Sequence, residues 1–335
     1  MVDNTSALFA RLSSNSDRII LPVNDSALVK GPPRNPFYCV HSVSGAAGTD
    51  FVELAGLLDP TVQFYGIQAP AKKMQDVNFG SSLEALAETY VEALVAFQPT
   101  GPLLLGGYCV GAVIAFEMAR MLRQRGRNVG PLIVIDGVPE NTGISPHRWR
   151  PDYWIALVGK LPGWIKHADL MRNMSLRSLL RSLSTNAIAI GKRAIGRTPY
   201  EKLLGGYSIE GVMDLSNYPE AQRAFINRLL GALFDYVPGE YAGDVVVYEA
   251  KTTPLLFLPR IGYIWQRFTP RVQVESVLGT HIAMLHKPYV NALADDLHNR
   301  ILRFYSSESV ADVAAPSEPR SSELDPNAPI FTVPR

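Results

Sequence analysis

Residues 102–126 read PLLLGGYCVGAVIAFEMARMLRQRG: an apolar run, then Gly107-Tyr108-Cys109-Val110-Gly111, then a helical pattern. A nucleophile on a strand-to-helix turn needs glycines two positions to either side, because the turn is tight and strand and helix must pass closely. Both flanks have that character here. The helix start also directs free N–H groups and a positive dipole end at position 109, which favours a thiolate and a developing oxyanion. Buried cysteines are commonly small hydrophobes, and Cys39, inside the run FYCV, reads that way. Cys109 reads as a nucleophile.

Around this turn, short β-rich runs alternate with helical periodicity. The runs are FYCV at 37–40, VQFYGI at 62–67, PLLLGGY at 102–108, PLIVID at 131–136, DVVVYEA at 244–250 and VQVESV at 272–277. Helices are predicted at 49–58, 82–98, 110–126 and 287–304. Alternation of this kind predicts an α/β fold with a mainly parallel central sheet flanked by crossover helices. A chain of 335 residues, 47% hydrophobic, fits one large domain with an insertion. That insertion is predicted at 141–236, which is helical in pattern and interrupts the run of strands, as a lid would. The domain is expected to span 18–305, with a flexible N-terminus at 1–17 and a disordered tail at 306–335. Met1 and the tail suggest a free-standing protein.

A formal net charge of +1 provides no field to draw nucleic acid, and no stretch is long and apolar enough to enter a membrane. Two cysteines make no disulfide framework, and neither has partners at metal-ligand spacing. No metal or cofactor is expected, and a reducing cytoplasm is the natural compartment.

A nucleophile needs a base, and the chain has six histidines: His41, His147, His167, His281, His286 and His298. In hydrolases built on such a sheet the order is nucleophile, acid, histidine, with the histidine after the last strand. His281 follows VQVESVLGT and fits that place. His147 and His167 fall in the insertion; His286, His298 and His41 read as surface or packing residues. Asp136 ends LIVI before Gly137, at the sheet edge where Cys109 emerges. The other common position for the acid, after the strand that follows the insertion, holds Lys251-Thr252-Thr253 and no carboxylate, while Glu249 lies inside that strand.

The phrases QPTGPLLLGGYCVGAVIAFEMARMLRQRG, LIVIDG, YVPGEYAGDVVVYEA and VLGTHIAMLHKPYVNALADDL, in that order, closely resemble the thioesterases of nonribosomal peptide and polyketide synthases and their free-standing type II relatives. The resemblance covers about residues 20–304, weakly through the insertion. It implies an α/β-hydrolase fold and a Cys109-His281-Asp136 triad, with cysteine where the family usually has serine. In that family the acid commonly follows the strand after the nucleophile helix, which is where Asp136 stands. The family's oxyanion hole carries over to the backbone N–H groups of Val110 and Val43. Ser42 and Ser44 depart from the proline- and glycine-rich loop usual there, and with Tyr108 they are expected to touch substrate.

The reaction implied is release of an acyl, polyketide or peptidyl chain from a carrier-protein phosphopantetheine thioester, by hydrolysis or cyclisation, in secondary-metabolite biosynthesis. Trp149, Leu161, Trp164, Phe234 and Tyr108 suggest a largely apolar cavity. Residues 141–205 hold 11 Lys and Arg against 3 Asp and Glu, 11 − 3 = +8, suited to an acidic acyl or peptidyl carrier protein. Two other readings share the fold: a carrier-independent esterase or lactone hydrolase, and a silent carrier-binding module.

Overall fold

The computed structural model describes residues 15–29, 33–139, 215, 218–252 and 261–314. Its centre is a seven-stranded sheet formed by β1 (Ile20–Pro22), β2 (Pro36–Val40), β3 (Gln63–Ile67), β4 (Leu104–Tyr108), β5 (Leu132–Ile135), β6 (Val245–Thr252) and β7 (Val272–Thr280). The spatial order is β1-β3-β2-β4-β5-β6-β7. Every neighbouring pair is parallel except β1 with β3. Strands β2 to β5 are buried along their whole length, as expected of strands covered on both faces.

Among the described residues six helices flank the sheet: α1 (Ala47–Leu57), α2 (Leu83–Phe97), α3 (Val110–Gln124), α4 (Glu220–Asp235), α5 (Ile261–Trp265) and α6 (Val290–Ala314). Ser82 caps α2 by accepting a hydrogen bond from the Ala85 N–H at 3.2 Å. Helix α3, directly after the Cys109 turn, buries all of Val110 to Ala119 and Leu122. One apolar layer joins α2, α3 and α4 to the sheet; the other packs α1 and α6 against its opposite face.

Register explains why the site can form. Tyr108 pairs with Ile135 and Ile135 with Tyr248, so β4 and β5 end at one level, while β6 runs on to Thr252, opposite Thr280 at the end of β7. Cys109 and Asp136 each stand one residue past a strand end, and His281 one residue past the end of β7. In a parallel sheet those ends share an edge, where ligands of open α/β folds bind.

The structure moves several expected boundaries. Strand β1 had no clear signal, being three residues long, on the sheet edge and closed by Pro22. Residues 15–17, expected in the flexible N-terminus, are tied down: Gln68 Nε2 donates to the Asn15 carbonyl at 3.1 Å, and Asp17 pairs with Lys72 at 2.9 Å. Helix α6 runs to Ala314, so residues 306–314 of the expected disordered tail are helical. No helix breaker occurs there before Pro316. Within the expected lid, α4 is part of the main body: Phe225 and Leu229 are fully buried, and Arg228 donates to the carbonyls of Met74 and Phe79. Residues 141–214 of the lid, with His147, Trp149, Leu161, Trp164 and His167, lie outside the described residues.

Candidate active site

Cys109 adopts φ 58° and ψ −126°, a backbone conformation that side-chain-bearing residues rarely take. Such strain costs about 1–3 kcal/mol and persists only where surroundings enforce it. Here they do. A methyl group on Gly107 would lie 2.1 Å from the Gly111 carbonyl oxygen, and one on Gly111 would lie 2.1 Å from the His41 carbonyl oxygen. The Cys109 N–H donates to the Ile135 carbonyl at 3.0 Å, tying the turn to β5. The thiol is half-buried rather than sunk in the interior.

Asp136 also has a positive φ, 47°. Its N–H donates to the Tyr248 carbonyl at 2.8 Å and its Oδ1 accepts from the Ala250 N–H at 2.8 Å, so β6 holds both ends of the residue. The remaining oxygen, Oδ2, meets Nδ1 of His281 at 2.7 Å. Next door, Trp265 donates its indole N–H to the Gly137 carbonyl at 2.9 Å, closing that corner.

His281 thus spends Nδ1 on Asp136, which leaves its other ring nitrogen for Cys109, whose sulfur acts on the ring electrostatically. Burial disfavours the charged ring, but the Cys109 sulfur and the Asp136 carboxylate outweigh it and raise the imidazole to about 10. The structure therefore brings Cys109, His281 and Asp136 into one chain of contacts.

Tyr108 departs from its expected place on the substrate wall. Its side chain is buried, its ring stacks on His281 and its hydroxyl donates to the His281 carbonyl, so it backs the histidine. Ser42 and Ser44 depart likewise. The Ser42 hydroxyl donates to Ser44 Oγ at 3.1 Å and the Ser44 hydroxyl to Asp50 Oδ1 at 3.3 Å. Both hydroxyls are used inside the loop after β2, because a buried hydroxyl must find a partner. Between them, Val43 is partly buried, and among the described residues neither its N–H nor that of Val110 has a hydrogen-bond partner.

His41, His286 and Cys39 have structural surroundings. His41 is fully buried, with Nε2 2.7 Å from the Tyr90 hydroxyl, and burial lowers it to about 4, so it stays neutral. His286 contacts Glu53 at 2.8 Å on the surface. Cys39 is fully buried, and desolvation pushes its thiol up. Phe234 sits on α4, half-buried. Asp50 was missed by sequence reasoning, since an acidic residue in a helix's first turn looks like an ordinary complement to the helix dipole. Among the described residues no group of three or more His, Cys, Asp or Glu could hold a metal ion, and no helix is long and apolar enough to cross a membrane.

A mainly parallel sheet with a strained strand-to-helix turn, a carboxylate-backed histidine and a flanking loop at whose crest the Val43 N–H is left unbonded among the described residues defines the α/β-hydrolase fold. Residues 35–301 match the family model described as "Thioesterase domain", and the chain belongs to that family of hydrolases acting on thioesters. It is 26% identical over 188 residues to malpinin synthetase of Mortierella alpina, covering 56% of this chain and 2% of that protein. It is 34% identical over 110 residues to the non-reducing polyketide synthase curS2 of Aspergillus terreus, covering 31% of this chain and 5% of that protein. The chain thus spans only a small part of these relatives' length. Among solved structures it resembles the NocB thioesterase domain in covalent complex with a fluorophosphonate nocardicin G analog. There the TM-score is 0.53 at 22% identity, with 85% of this chain and 100% of that chain covered. The thioesterase domain that cyclises the lipopeptide surfactin gives 0.50 at 16% identity, covering 87% and 97%. At such identities the likeness is one of fold.

Proposed function

We propose that this chain releases an acyl, polyketide or peptidyl chain from the phosphopantetheine thioester of a carrier protein, through an acyl-enzyme on Cys109. The observation that carries the reading is that Asp136 holds His281 Nδ1 at 2.7 Å on the sheet edge where the strained Cys109 turn emerges. The sulfur attacks the thioester carbonyl, and the N–H groups of Val43 and Val110 take the developing oxyanion. Donors aimed in advance at that charge are worth roughly 3–4 kcal/mol each. The carbon–sulfur bond to pantetheine then breaks, and His281 Nε2 gives its proton to the departing thiolate.

The acylated sulfur carries no charge, so the ring loses the interaction that kept it protonated. Neutral His281 then serves as base, taking the proton of water, or of a hydroxyl or amine on the acyl chain itself. That nucleophile attacks the carbonyl, Cys109 departs, and the ring regains its proton partner. Asp136 holds Nδ1–H throughout and so keeps the second nitrogen facing the sulfur. Because the intermediate is itself a thioester, the first step is nearly isoenergetic and the acyl group stays activated for the second.

A carrier protein as partner is supported by the named polyketide synthase relative. It is also supported by the excess of 11 basic over 3 acidic residues in 141–205, which suits an acidic domain bearing a phosphate. Intact-protein mass spectrometry tests the proposal. Exposure to an acyl-carrier thioester should add the acyl mass to Cys109, and Cys109→Ala should take none and release no product. Acylation from free esters alone would favour a carrier-independent esterase, and none from any donor a silent binding module.

A further inference from the structure

Helix α1 sends a carboxylate back under the loop that carries Val43. Asp50 Oδ2 accepts the Ser42 N–H at 2.6 Å and Oδ1 accepts the Ser44 hydroxyl at 3.3 Å, one residue to either side of Val43. The Ser44 Oγ in turn accepts from the Ala46 N–H at 3.1 Å, and Ser42 Oγ from the Ser44 N–H at 3.2 Å. From the opposite side Gln222 Nε2 donates to the Ser44 carbonyl at 2.7 Å. Residue 43 therefore sits at the crest of a loop pinned at both shoulders. Among the described residues no basic side chain pairs with Asp50, although a carboxylate withdrawn even in part from water, as this one is, is costly without a cation. Among the described residues, the hydrogen bonds of its carboxylate go to the loop.

We propose that Asp50 is a positioning residue for acyl transfer: its two carboxylate oxygens clamp Ser42 and Ser44 so that the Val43 N–H is held toward the carbonyl attacked by Cys109. The inference rests on the reading of Val43 as an oxyanion donor. It assigns the carboxylate no contact with substrate. A donor displaced by an ångström forfeits much of its value, since this contribution depends on fixed geometry.

Ionisation matters, because only the carboxylate can accept from both shoulders at once. Burial raises Asp50 to about 6, against the pull of its hydrogen bonds from Ser42 and Ser44. The titratable groups facing it are Cys39 of β2, Tyr108 of β4 and Tyr218 just ahead of α4. Burial pushes all three up, so none of them titrates in that range. On α1 itself Glu53 is engaged with His286.

The test compares two reactions of the same sulfur in the full chain. Transfer from a small acyl thioester passes through an oxyanion, whereas alkylation by iodoacetamide is displacement at a saturated carbon and forms none. Asp50→Ala should lower kcat for acyl transfer roughly 100-fold with little change in KM, while alkylation stays within about twofold. Asp50→Asn, which keeps one acceptor, should restore part of the loss. In the wild type the ratio of acyl transfer to alkylation should fall as pH drops through about 6, and in Asp50→Asn it should stay level. Equal loss of both reactions in Asp50→Ala, or unchanged acyl transfer, overturns the proposal. Val43→Pro, which deletes the N–H, separates the layers. If it transfers acyl groups normally, the oxyanion reading of Val43 fails and this inference with it. If it is slow while Asp50→Ala is not, only the role of Asp50 fails.

Discussion

Tyr108 meets His281 twice: the rings stack with centroids 4.8 Å apart at 23°, and the phenol donates to the His281 carbonyl oxygen at 2.8 Å. The residue before the proposed nucleophile thus sets both the plane and the backbone of the proposed base. Tyr108→Phe keeps the stack and loses one hydrogen bond worth about 1 kcal/mol, so kcat should fall roughly fivefold. Tyr108→Leu removes both contacts and should cost more, again in kcat rather than KM. Steady-state kinetics on a small acyl thioester checks this; unchanged kcat in both variants would show that the stack contributes nothing to catalysis.

The protonation of His281 should depend on its two neighbours unequally. The ring is raised to about 10, with the Cys109 sulfur the larger of the raising influences and the Asp136 hydrogen bond the next, both against burial. It is therefore charged through neutral pH and loses its proton only as pH climbs toward that value. Cys109→Ala should bring the midpoint down furthest, and Asp136→Asn should lower it by less. Following the His281 ring proton by NMR across pH reads all three midpoints, and an unshifted midpoint in Cys109→Ala would contradict the proposed pairing.

The turn around Cys109 tolerates no added carbon at its two tight points. Gly107→Ala and Gly111→Ala each drive a methyl to 2.1 Å from a backbone oxygen, and backbone cannot swing aside as a long side chain can. Each should destabilise the protein by about 3 kcal/mol or more. Gly56→Ala is the control: it is exposed on α1 with nothing within 4 Å, and it should stabilise by up to ~1 kcal/mol. Chemical denaturation measures all three, and equal stability of Gly107→Ala and wild type would mean the close approach is not as described.

What could be read in the sequence was whatever depends on local spacing. The Gly-x-Cys-x-Gly turn shows itself because its two small residues stand at a fixed spacing within five positions. Asp136 and His281 show themselves because strand ends are marked by apolar runs, and a parallel sheet converts shared ends into shared space. Features that depend on distant partners stayed hidden. Asp50 becomes informative only when the fold buries it under Ser42 and Ser44, and the serine hydroxyls look outward-facing until that carboxylate is in place. Strand β1 is too short for periodicity to register. The last turns of α6 resemble a polar tail in composition, although no glycine or proline interrupts them.

Charge should govern carrier recognition separately from chemistry. Reversing Arg172, Arg177 and Arg181 to Glu changes the sequence's most basic segment by six units without touching Cys109, His281 or Asp136. KM for an acyl-carrier substrate should rise about tenfold or more at low salt, with the difference shrinking as salt screens it. KM for a small acyl thioester should stay put. Equal effects on both substrates would mean that these arginines shape the enzyme rather than attract the carrier.

Cysteine rather than serine at position 109 has a consequence for the second half-reaction. On the proposed mechanism, sulfur passes the acyl group from one thioester to another and keeps its activation, whereas oxygen would drop it into a more stable oxoester. The nucleophile of Cys109→Ser also lacks a readily formed anion and leans wholly on His281 as base. Acylation should therefore slow, and the oxoester, once formed, should persist because the departing alkoxide is a poorer leaving group than a thiolate. Quenched-flow mass spectrometry should show the serine variant accumulating as acyl-enzyme while wild type turns over. A serine variant that releases product as fast as wild type, without accumulating, would mean that sulfur confers no advantage at this turn.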